Sequence, residues 1–180
     1  MANVPEEVRT DRLVLSRWRA ADATELRALL DRCDAHLRPW IPFMQDEPRS
    51  LEGTREKLIE IGASFDAGEH FRFALRERAT EALVGETMLI GRGGPGAIEA
   101  GYWLDQRHCG KGYASEATAA LLPLAFETLA RQRVLVRCDV RNEPSLRVAA
   151  RLGGVAIDTE QLEENGETVV LRVFQITPTR

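Results

Sequence analysis

Between Ile98 and Ala130 the chain changes its hydrophobic period once, and two glycines mark the change. IEAGYWL (98–104) reads as a strand, ASEATAALLPLAFETLA (114–130) reads as a helix, and RHCGKGYA (107–114) joins them. A strand that hands over to a helix start exposes unpaired backbone N–H groups and the positive end of the helix dipole. Glycine lets an anion come close to such backbone. Gly110 and Gly112 therefore suit the joint to a pyrophosphate, with Lys111 and Arg107 adding charge. Without a ligand, the same glycines would serve a tight turn only. Two better-known phosphate patterns fail here. G-x-x-x-x-G-K-[ST] needs a hydroxyl residue after its lysine, where this chain has Gly112, and G-x-G-x-x-G breaks at Ser115.

The rest of the chain supplies the elements around that joint. RLVLSRW (12–18) reads as a first strand, and Asp22 caps a helix through ATELRALLDRC with Leu26, Leu29, Leu30 and Cys33 at helical spacing. Ser50 caps a second helix, whose apolar side is Leu51, Leu58, Ile61 and Phe65. FRFALRE (71–77) and ALVGETMLI (82–90) read as strands, followed by the turn GRGGPG. RVLVRCDV (133–140) alternates, Asn142 starts a short helix with Pro144 in its first turn, and Asn165-Gly166 turns a final hairpin, VAIDTEQL against ETVVLRVFQI. The order β-α-α-β-β-β-α-β-α-β-β predicts the α/β class with a mixed, mostly antiparallel sheet, not a doubly wound one. Neither a repeat nor a linker divides it, so a single domain over 1–180 is expected.

Charge and cysteine usage exclude other classes. Lys plus Arg is 24 against 28 Asp plus Glu, a formal net charge of −4, which is no basis for binding nucleic acid by bulk electrostatics. Cys33, Cys109 and Cys138 form no C-x-x-C pair, and His36, His70 and His108 lack metal-ligand spacing, so no metal is assigned. MANVPEEVRT has no apolar run, and no stretch approaches the roughly 20 apolar residues of a membrane span. A cytoplasmic location is expected, with no membrane partner.

Arg107, Gly110 and Gly112 fit the pattern [Q/R]-x-x-G-x-[G/A], and with them the chain resembles the GNAT N-acetyltransferase superfamily, most closely its RimJ/RimL type. RLVLSRW, HLRPWIPF, EAGYWLDQRHCGKGYASEAT and VRCDVRNEPSLRVAARLGG carry the resemblance in the family's order. It implies a splayed sheet that admits the pantetheine of acetyl-coenzyme A between the fourth and fifth strands. The amides of His108, Cys109, Gly110, Lys111, Gly112, Tyr113 and Ala114 would then hold the pyrophosphate, and those near Trp103 and Leu104 would polarise the thioester carbonyl. Read alone, Asn142 and Ser145 are a helix cap and its first turn, and Cys138 is a core hydrophobe. The resemblance places Asn142 and Ser145 beside the thiol, with Ser145 as proton donor, and puts Cys138 near the catalytic centre without a covalent role.

For a general base, Glu86, Glu99, Asp139, Glu160, Glu163, Glu164 and water all remain open, and the resemblance favours Glu163 or Glu164. Trp40 and Phe43, with Glu99, are assigned to the acceptor side. The implied activity is acetyl transfer to a primary amine, on a protein N-terminus or a small molecule. A longer acyl donor such as succinyl-coenzyme A, or coenzyme A binding without turnover, are the alternatives. Homodimers are common in the family. The chain departs from it at Leu152-Gly153-Gly154, where members usually carry Leu-Gly-Phe.

Overall fold

The computed structural model describes residues 3–164 and 166–178. Among them one sheet of eight strands runs β1 (Glu7–Arg9), β2 (Leu13–Arg17), β3 (His70–Glu77), β4 (Leu83–Ile90), β5 (Ala97–Leu104), β6 (Arg133–Asp139), β8 (Glu167–Ile176), β7 (Val155–Glu164). Four α-helices accompany it: α1 (Ala23–Leu37), α2 (Leu51–Asp66), α3 (Tyr113–Pro123) and α4 (Glu143–Arg151). The mixed α/β order expected from the sequence holds, with one strand more. β1 has three residues and no apolar alternation, and its ladder to β2, with Val8 opposite Leu15, makes it a strand. The single helix expected over 114–130 is also divided, since α3 ends at Pro123 and a π turn, Leu124–Thr128, follows.

Every neighbouring pair is antiparallel except β5 with β6. That parallel pairing covers only Ala97–Arg133, Ile98–Val134 and Glu99–Leu135. Beyond it the strands part, with β5 continuing to Leu104 along β4 and β6 continuing to Asp139 along β8. The sheet therefore forks in its middle.

Alternation sends side chains to two cores. Phe73, Leu75, Leu104 and Val136 pack with Ala114, Ala117 and Leu121 of α3 and Ala149 of α4. Trp18, Ala74 and Trp103 pack on the other side with Leu26, Leu29 and Leu30 of α1, Leu58 and Ile61 of α2, and Met44. Ser50 caps α2 as expected, its Oγ accepting from Gly53 N at 3.0 Å. No helix among the described residues is long and apolar enough to cross a membrane.

Gly154 has a steric reason to replace the usual aromatic residue. A Cβ there would stand 2.7 Å from Ala149 O and 3.2 Å from Phe174 Cβ. The backbone turns back against α4, and β8 supplies an aromatic ring next to it.

Candidate active site

The joint begins at Asp105, the residue after β5, whose carboxylate is fully buried. It accepts hydrogen bonds from Arg107 N at 3.0 Å, Arg107 Nε and Nη2 at 3.0 and 2.7 Å, and Arg32 Nε at 3.2 Å. Burial pushes this carboxyl up, but the bonds from Arg107 and Arg32 outweigh burial and hold it well below the usual carboxylate range. The stability it contributes is present above its unfolded-state pKa of about 4 and is lost as pH falls toward the lower folded value. Arg107, expected to add charge for an anion, is thus fastened to the base of the joint.

His108 N and Cys109 N are also engaged, donating to Asp105 O at 2.8 Å and Gln106 O at 3.3 Å. The amides of Gly110, Lys111, Gly112, Tyr113, Ala114 and Ser115 donate to no acceptor among the described residues, and the first helical bond runs from Glu116 N to Gly112 O. The free run of amides therefore starts two residues later than expected and ends one residue later. Gly110 and Gly112 have φ of +77° and +83°, a region that costs an L side chain about 1–2 kcal/mol. A Cβ on Gly110 would meet open space, so nothing crowds an approaching ligand there. The Tyr113 ring is buried under the joint and its hydroxyl donates to Glu77.

From these amides an open cleft of about 250 Å³ runs along the fork. Leu104, Cys109, Gly110 and Ala114 line one end, and Asn142, Pro144, Ser145 and Val148 line the side formed by α4. His36, Leu37 and Trp40, from the end of α1 and beyond, close the third side, with Cys109 Sγ 3.7 Å from His36 Nε2. Asn142 does what a cap does, its Oδ1 accepting from Ser145 N at 3.2 Å. Tyr102, which the sequence reading did not single out, lines the cleft and donates from its hydroxyl to Ser145 O at 3.1 Å.

Of the other expected residues, Trp103 also lines the cleft, and the rest of those described stand outside its lining. Cys138 is buried in the core below Tyr102, and burial pushes its thiol up to about 11, so it stays protonated at neutral pH. Phe43 and the Trp103 side chain meet edge to face at 6.2 Å on the opposite face of the sheet, around a separate small cavity. Glu86 lies there too, accepting from Trp18 Nε1 and Trp103 Nε1 at 2.7 and 2.8 Å and from Arg72. Glu99 is buried and paired with Arg92 and Arg137, outside the cleft lining, and Glu160 shares Arg137 at 2.8 Å. Asp139 is held by Arg141, and Glu163 accepts from the Thr168 hydroxyl at 2.7 Å. The Glu164 side chain and Asn165 lie outside the described residues. Among the described residues no three His, Cys, Asp or Glu side chains gather as a metal-binding group.

Residues 12–155 match the Acetyltransferase (GNAT) domain family. The chain belongs to this family. Its fork and free-amide joint lie inside the matched segment. The chain is 30% identical over 110 residues to YjcK of Bacillus subtilis, named a probable N-acetyltransferase, which is 60% of this chain and 61% of YjcK. It is 27% identical over 176 residues, 95% of this chain and 93% of the other, to the uncharacterised N-acetyltransferase p20 of Bacillus licheniformis. Among solved structures, that of RimL, a ribosomal alpha-N-protein acetyltransferase in complex with coenzyme A, superposes with a TM-score of 0.87 at 20% identity. The superposition covers 96% of this chain and 98% of RimL. At that identity the likeness speaks for the fold.

Proposed function

We propose that this GNAT protein transfers an acetyl group from acetyl-coenzyme A to a primary amine by direct attack in a ternary complex. The observation that carries the reading is the run of six free amides, Gly110 to Ser115, opening onto a cleft that follows the parted strands to Ser145. The donor set fits the coenzyme. Amides at a helix start take a pyrophosphate, left-handed glycines let it approach, and the apolar cleft walls suit a pantetheine. When bound, acetyl-coenzyme A supplies an acetyl thioester.

The chain's own groups then have limited tasks. A backbone N–H of β5 at the Trp103–Leu104 end, on the edge that faces the fork, polarises the carbonyl as the carbon–nitrogen bond forms. The Ser145 hydroxyl gives its proton to the sulfur as the carbon–sulfur bond breaks and takes one back from solvent in the open cleft, so the proton lost by the amine balances the one gained by the thiol. Glu86, Glu99, Asp139 and Glu160 already pair with arginines, which leaves Glu163, Glu164 or water at the open mouth beside Trp40 and Arg141 to take the amine's proton. The acceptor is a protein N-terminus or a small amine, admitted from that side.

Thermal melting in the presence of acetyl-coenzyme A, coenzyme A, succinyl-coenzyme A, ATP and NAD tests the donor. A ligand selective for the folded chain raises the melting temperature. A shift with the coenzyme A compounds alone is expected, and thiol release on adding an amine panel completes the test. A shift only with ATP or NAD would overturn the reading. Binding without thiol release would make the chain a coenzyme A-binding relative.

Ser145→Ala is expected to lower kcat by about 100-fold while coenzyme A affinity changes less than about twofold. The two contacts made by the Ser145 backbone, to Asn142 Oδ1 and from Tyr102, survive the substitution, so only the hydroxyl is lost. Parallel losses of turnover and affinity would reduce Ser145 to a shaper of the helix start.

A further inference from the structure

We propose that Arg12, seated by Thr10, is a positioning residue for the acyl donor. It neutralises Glu116 and ties down the joint, so that the free amides meet a pyrophosphate without a competing charge. The inference rests on the function proposed above.

The difficulty that Arg12 resolves is Glu116. This glutamate stands in the first turn of α3, four residues after Gly112. An acidic side chain there stabilises a helix by facing the positive end of its dipole. In this chain that end is also the expected anion site, so an uncompensated carboxylate would oppose a pyrophosphate. Thr10 and Arg12 take up both carboxylate oxygens. Oε1 accepts from Thr10 Oγ1 at 2.6 Å and Arg12 N at 3.0 Å, and Oε2 from Arg12 Nε and Nη2 at 2.7 and 2.6 Å. Burial pushes the Glu116 carboxyl up, yet these bonds keep it below its ordinary value, so it remains an anion that requires a partner.

Arg12 reaches the joint itself as well. Its Nη1 donates to Lys111 O at 2.8 Å, and its guanidinium lies 4.8 Å from the centre of the Tyr113 ring. A Cβ at Gly112 would stand 3.4 Å from Nη2. One side chain thus touches or borders three consecutive residues of the amide run. The turn between β1 and β2 places it, with Thr10 N donating to Leu13 O at 2.9 Å and Leu13 N to Thr10 Oγ1 at 3.0 Å. A helix-dipole partner alone would need no clasp brought from 104 residues away.

The test is titration calorimetry of coenzyme A with the wild-type chain, Arg12→Met, Arg12→Lys, Glu116→Gln and the Arg12→Met/Glu116→Gln pair, with melting curves of each. Arg12→Met is expected to bind about tenfold more weakly, because it leaves Glu116 unopposed at the helix start. Glu116→Gln should bind no more weakly than wild type, and the double variant should recover to within about threefold of it. Arg12→Lys should fall between wild type and Arg12→Met. Where turnover is measured, KM for acetyl-coenzyme A should follow Kd while kcat stays constant.

Unchanged binding by Arg12→Met overturns the inference. So does an equal loss in both single variants with no recovery in the double, which is the signature of a purely structural clasp. If Arg12→Met does not fold, weakened binding by Glu116→Gln overturns it instead. Failure of the wild-type chain to bind coenzyme A would sink the proposed function together with this inference.

Discussion

Gly112→Glu is expected to abolish coenzyme A binding, with affinity falling at least about 100-fold, roughly 2.7 kcal/mol, in a calorimetric titration. Two effects add. Gly112 has φ of +83°, so any L side chain brings strain of about 1–2 kcal/mol. The new carboxylate also stands at the head of α3, among amides that have no acceptor of their own, and would occupy them in place of a pyrophosphate. Gly112→Asn separates the two effects, because asparagine tolerates the left-handed region and carries no charge. It should bind within about tenfold of wild type. Wild-type affinity in the glutamate variant would mean that no pyrophosphate rests on this joint.

Glu86→Leu is expected to destabilise the fold by about 3–5 kcal/mol, read from urea unfolding midpoints and slopes. Glu86 is 1% exposed and serves as the shared acceptor for two indole N–H groups and a bidentate arginine, with Arg72 Nε and Nη2 at 2.8 and 2.7 Å. Leucine fits the apolar surroundings but leaves Arg72 as a partly buried cation without its counter-ion and both indoles unpaired. Glu86→Gln should fall between the two, since its amide oxygen still accepts while its NH₂ faces donors. A loss below about 1 kcal/mol for Glu86→Leu would show that the network contributes little net stability.

The element order was legible because each element keeps its own period, and the strand–glycine–helix joint was legible because no other segment combines those signals. The parts missed are those created by tertiary pairing. Glu7–Arg9 is a strand through its ladder, which its three residues do not announce. Glu99 and Glu160 looked like open carboxylates, and nothing local in either segment says that Arg137 sits between them. Phe43 lies near Trp40 in sequence, yet it packs in the small cavity against Trp103, while Trp40 lines the cleft. Asp105 did carry a local signal, an acidic residue capping the short turn Gln106–His108 that follows it. Arg12 carried none, because its partner Glu116 is 104 residues away.

The fork has a further consequence for how the molecule keeps to itself. Where β5 and β6 part, each presents a row of backbone donors and acceptors toward the gap, and such a row at the rim of a sheet would recruit a strand from another molecule. Here five strands stand on one side and three on the other, with α3 packed on β4 and β5 and α4 on β6. The unpaired rows are interior edges, flanked by helices instead of lying along the rim of the sheet. Hydrogen-bonding capacity that would make an outer edge sticky is kept available for a slender guest.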